Sequence, residues 1–132
     1  MFTSHLFAQN SSSPLVVVVN QANVINQLTK RQVIDIYMGR FNTFPDGSPV
    51  LPIDHPRGSS QKEAFYQTLV GQNERKVNAY WSRLLFSGRA KPPLQADSEV
   101  MVFNTLFVQP YALAYVSEAD VTSEMKIVYR FK

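Results

Sequence analysis

The chain has 132 residues, enough for one domain with a full core and too few for two of ordinary size. A net charge of +3 with no basic block gives no footprint for nucleic acid, and no apolar run approaches the roughly 20 residues that span a bilayer. The absence of cysteine excludes a disulfide framework, a thiol nucleophile and a Cys-based zinc site, and the two histidines, His5 and His55, are too far apart to give a metal-ligand spacing.

Residues 1–14 read as a disordered start. Leu6-Phe7-Ala8 followed by Gln9-Asn10-Ser11-Ser12-Ser13-Pro14 looks like the tail of a signal peptide whose basic and longer apolar parts lie upstream of the first Met, and a plain floppy terminus fits equally. The domain then occupies 15–132. Leu15-Val16-Val17-Val18-Val19 is continuously apolar and β-branched, the pattern of a strand buried on both faces. After a polar connection over 20–26, Thr29 and Gln32 form a capping box, with Leu28 stapled to Val33. The buried face of that helix is Val33, Ile36 and Tyr37, and Gly39 is its left-handed stop.

Aromatic residues and a Pro45-Asp46-Gly47 turn lead to a second strand, Val50 to Ile53, ending near Asp54. A helix follows over 60–70 with Ala64, Phe65 and Leu69 on one face, closed by Gly71. Asn73 caps the next, in which Val77, Tyr80, Trp81, Leu84 and Leu85 recur at helical spacing and Trp81 is a core residue. Residues 87–93 form a loop, Asp97 or Ser98 caps a helix to about Phe107, and 112–116 and 126–130 read as strands. The alternation predicts a three-layer αβα domain.

Between the second strand and the helix at 60 lies Asp54-His55-Pro56-Arg57-Gly58-Ser59-Ser60-Gln61. A strand that turns through small residues into a helix start presents free backbone N–H groups in the positive end of the helix dipole, which suits an anion. The same residues also serve without a ligand, Ser59 as an N-cap and Gly58 as a turn. Two enzymatic patterns are weak here. Ser59 has no G-x-S-x-G elbow, and His55, four residues away on a turn, is badly placed to be its base.

In family order, four stations resemble the phosphate-binding proteins of ABC transporters, a branch of the type-2 periplasmic binding fold. Leu28-Thr29 through Ile36-Tyr37-Met38-Gly39 is similar to a helix ending in I-F-x-G, and residues 44–50 to a W-x-D-G connection. Arg57-Gly58-Ser59-Ser60-Gln61, with Phe65, sits where that family has R…G-S-G-T…F, and 111–116 where it has G-A-I-G-Y-V. The resemblance covers about residues 15–130 and implies one lobe of such a protein standing alone. Ser60, Gln61 and Ala114 replace the family's Gly, Thr and Gly.

The resemblance implies a non-catalytic anion-binding module for phosphate or a similar oxyanion, with no cofactor, exported to the periplasm, and partnered by an ABC permease or a membrane sensor. Its ligand residues would be Ser59, the amides of Ser60 and Gln61, Gly58, the Arg57 guanidinium, and Asp54 as acceptor from a protonated anion. Arg89, with Arg83, would complete a basic rim. The alternative is a protein-interaction module that kept the lobe and lost the ligand. Homodimerisation, through exposed aromatics such as Phe41 and Phe44, would supply a missing wall.

Overall fold

Four consecutive valines leave β1 (Leu15–Asn20) without a polar face, and the sheet buries it on both sides. The computed structural model describes residues 13–88 and 90–131. The elements that follow are α1 (Lys30–Tyr37), β2 (Leu51–Asp54), α2 (Ser60–Val70), α3 (Glu74–Ser87), β3 (Leu94–Gln95), α4 (Glu99–Val108), β4 (Ala112–Ser117), a 3-10 turn (Glu118–Asp120) and β5 (Met125–Arg130).

The strands form one mixed sheet in the order β3-β2-β4-β1-β5. β2 is parallel to β3 and β4, while β1 is antiparallel to both β4 and β5, with Val17 opposite Tyr115 and Tyr129. Side-chain alternation then sorts the valines. Val17 and Val19 join Val33, Tyr37, Phe65, Tyr66 and Trp81 on the face covered by α1, α2 and α3. Val16 and Val18 join Val102 and Leu106 on the face covered by α4. The domain is therefore the expected three-layer α/β arrangement, and each fully buried valine contributes about 1.5–3 kcal/mol relative to exposure.

The capping box forms as its spacing requires. Gln32 N donates to Thr29 Oγ1 at 3.1 Å and Thr29 N to Gln32 Oε1 at 2.8 Å. Ser98, rather than Asp97, caps α4. Of the start expected to be disordered, residues 1–12 lie outside the described residues. Ser13 Oγ accepts from Ala119 N at 3.0 Å, and Pro14 O accepts from Glu118 N at 2.8 Å.

Some expectations need correction. Phe44, expected as an exposed contact aromatic, is 1% exposed. Its amide and carbonyl are both held by the turn, to Ser48 O at 2.8 Å and from Gly47 N at 2.9 Å, and its ring joins the α1–α3 core. Phe41 is exposed as expected. Ala64 is exposed, and the buried face of α2 is Lys62, Phe65, Tyr66 and Leu69. The polar connection after β1 is partly buried, because Asn20 Nδ2 donates to Leu106 O at 2.6 Å and Asn23 Nδ2 to Pro110 O at 2.9 Å, tying the loop to the end of α4. The strand β3 had no counterpart in the sequence-based expectation. Among the described residues no helix is long and apolar enough to cross a membrane.

Candidate functional site

β2 delivers the chain to the turn over 55–59 at the carboxyl end of the sheet. Gly58 takes a left-handed conformation, φ +78°, which a side chain would strain. Ser59 is extended (φ −73°, ψ 149°) and its Oγ accepts from Lys62 N at 3.2 Å, so it is the N-cap of α2. At Ser60 and Gln61 the amides open the helix and have no intrahelical acceptor by geometry. They form, with the helix dipole, a local anion-attracting edge. The Gly58 N–H already holds an anionic group: the carboxylate of Glu74, from the first turn of α3, with Oε1 at 3.0 Å and Oε2 at 3.3 Å.

The remaining candidates divide around this turn. Ser60 is exposed, and Gln61 donates through Nε2 to Glu99 Oε2 at 2.7 Å, toward α4. The Arg57 side chain is exposed and forms no ion pair among the described residues. Arg89 lies outside the described residues, and Arg83 is exposed on α3. Asp54 is buried: its Oδ1 accepts from Tyr66 OH and Tyr115 OH, each at 2.9 Å, and its Oδ2 lies 3.1 Å from Tyr66 OH. Burial pushes its carboxyl up to about 6, against the opposing pull of the Lys62 ammonium 3.9 Å away and of the two phenol donors.

Lys62 was not anticipated, although it stands on one helical face with Phe65, Tyr66 and Leu69 at i, i+3, i+4 and i+7. That spacing was the available signal. It is 3% exposed, donates to Gln95 Oε1 at 2.9 Å, and lies 3.5 Å from Glu74 Oε2. Glu74, Gln95, Tyr66 and Tyr115 were likewise missed, since each reaches the turn from a distant part of the chain.

His55 faces the core, 1% exposed, with Nε2 2.7 Å from Tyr115 O and its ring 4.9 Å from that of Tyr115. A carbonyl oxygen only accepts, so the proton sits on Nε2. Desolvation lowers the ring's pKa and keeps it neutral. With Ser59 Oγ committed to the cap and His55 to Tyr115, the two form no nucleophile–base pair. Among the described residues no group of three or more His, Asp or Glu side chains is placed to hold a metal ion.

Beside the turn, α2, α3 and residues 92–95 enclose a half-open cavity of about 200 Å³. Asp54, Arg57, Lys62 and Gln95 give it a polar floor, and Trp81 and Leu85 are among its apolar walls. The structure thus brings Asp54 and Arg57 together here, while Ser59, Ser60 and Gln61 lie along the adjoining helix start. A cavity of similar size, about 220 Å³, beneath Phe41 and Pro45 carries no charged side chain.

No protein-family profile and no curated protein sequence matches this chain. Its fold does have counterparts among solved structures. A Clostridium perfringens protein described as a phosphate ABC transporter substrate-binding protein, with phosphate bound, superposes with a TM-score of 0.70 at 16% identity, over 88% of this chain and 44% of its own. An ABC-type phosphate transport receptor of Vibrio cholerae gives 0.68 at 19% identity, over 88% and 45%. PstS of Borrelia burgdorferi gives 0.66 at 10% identity, over 89% and 47%. At these identities the likeness is one of fold: the sheet and helices match a single lobe of a periplasmic binding protein. The chain spans less than half the length of each of these structures.

Proposed function

We propose that the chain is a non-catalytic oxyanion-binding module, with phosphate as the reference ligand and the β2–α2 turn as its site. The observation that carries this is the Glu74 carboxylate on the Gly58 amide: the turn already binds an oxyanion group, one supplied by the chain itself. The amides of Ser60 and Gln61 supply further donors, and Arg57 adds a charged fork suited to tetrahedral oxygens. Asp54, close by, would offer a carboxylate oxygen as acceptor to a hydrogen-bearing anion. The fold counterparts described as phosphate-binding components of ABC transporters add support. In this role the module works outside the cytoplasmic membrane with an ABC permease or membrane sensor, and a second lobe or a second copy closes the open side of the site.

Calorimetric titration of protein stripped of anions by unfolding and refolding tests this, with phosphate and then sulfate. A saturable phosphate signal that Arg57→Ala with Ser59→Ala abolishes, in a variant that still unfolds cooperatively, supports the site. No heat up to millimolar phosphate in folded protein overturns it and leaves a protein-interaction module.

A further inference from the structure

The cavity beside the turn carries more hydrogen-bond donors than its own acceptors use. The Lys62 ammonium has three donors, its side chain is only 4% exposed, and one donor finds a short acceptor, Gln95 Oε1 at 2.9 Å. The two carboxylates near it stand off at 3.5 and 3.9 Å, beyond a good hydrogen bond. Trp81 also lines the cavity and is 7% exposed, and its indole N–H is buried with no acceptor among the described residues. Arg57 belongs both to the turn and to the cavity wall. A buried ammonium with unfilled donors is costly, and an oxygen-rich anionic ligand at the cavity floor relieves Lys62.

The rest of the lining does not suit a bare tetrahedral ion. Val77, Trp81, Leu85 and two prolines make an apolar wall, and Leu85 is 53% exposed at its rim. The volume of about 200 Å³ equals roughly six or seven waters at the ~30 Å³ each occupies in the liquid, more than one phosphoryl group fills. Arg57 and Lys62 are balanced by Asp54 and Glu74, so selection here rests on directed donors and shape rather than on net charge.

We propose that the site takes an organic phosphate or phosphonate. The phosphoryl group lies against the turn, Arg57 and Lys62, and a small apolar body occupies the cavity against Trp81, Leu85 and the prolines. This rests on the oxyanion-binding function proposed above and names its ligand class.

The test is calorimetric titration of the full chain with phenylphosphonate, inorganic phosphate and benzoate, repeated on Leu85→Ser, whose position at the rim of α3 tolerates a polar side chain. Phenylphosphonate is expected to bind at least about tenfold tighter than phosphate, a ratio that Leu85→Ser brings toward one. Equal affinity of the two phosphoryl probes, or an undiminished ratio in Leu85→Ser, overturns the organic ligand and leaves the oxyanion site standing. Benzoate binding as tightly as phenylphosphonate overturns recognition of the phosphoryl group. Silence toward both phosphoryl probes removes the oxyanion site itself, and the inference with it.

Discussion

Glu74 lays its carboxylate across the backbone amide of Gly58, sixteen residues earlier, with both oxygens within 3.3 Å. Its own amide in turn receives the Glu63 carboxylate at 3.0 Å, so the starts of α2 and α3 are cross-linked by two acidic side chains. An internal carboxylate on a candidate anion site competes with any external anion. Glu74→Gln keeps the shape and removes the charge, and phosphate affinity is expected to rise roughly fivefold, about 1 kcal/mol for one partly exposed charge. Titration of the variant beside the wild type checks this. Weaker binding would show instead that Glu74 shapes the turn for the ligand.

The raised carboxyl of Asp54 makes stability depend on pH. Its value of about 6 in the folded protein exceeds the ~3.9 of an unfolded chain. Between these values the folded state holds more protons, so this contribution is fully present below about pH 4 and is lost as pH rises toward 6. The loss is on the order of 2–3 kcal/mol. Urea unfolding of wild type and Asp54→Asn at pH 4.5 and pH 7 isolates it: the difference in stability between the two proteins shifts in favour of Asp54→Asn at the higher pH. A difference that stays constant would place the titration elsewhere.

Tyr115 OH accepts from His55 N at 3.0 Å and donates to Asp54 Oδ1 at 2.9 Å, linking three buried groups. Tyr115→Phe keeps the stacked contact with Phe65, 3.8 Å between ring centroids, and leaves the His55 N–H without its acceptor. The expected cost is about 1–3 kcal/mol by denaturant unfolding, with the Asp54 carboxyl shifted further up because one donor to it is gone.

Gly39, φ +81°, stands against Trp81: a Cβ placed there would meet Cη2 of the indole at 2.5 Å. Gly39→Ala therefore carries both backbone strain and overlap, about 2–5 kcal/mol together. Adding Trp81→Phe should recover the overlap part and leave the strain, which a double-mutant comparison of unfolding midpoints separates.

The elements legible in the sequence are those whose cause is local. The valine run at 16–19 and the Thr29–Gln32 pair each carry their own explanation within a few residues. The turn at 57–59 was likewise recognisable as a helix start. What stayed hidden depends on distant partners. β3 is two residues long and exists because Ile53 and Asp54 offer it an edge, which no periodicity records. Lys62 looks like a solvated helix lysine until Gln95, 33 positions on, and Glu74 close over it. Asp54 reads as a loop carboxylate because the tyrosines that bury it, Tyr66 and Tyr115, come from another helix and another strand.

The strand order has a consequence for synthesis. β1 sits between β4 and β5, so the strand at 15–20 finds both its neighbours among residues 112–130, which are made much later. Until those emerge, Val16 to Val19 have no edge to join, and the pairing that completes the sheet joins segments about a hundred positions apart. Such non-local closure is slow, and the valine segment stays exposed, without strand partners, until residues 112–130 have been made.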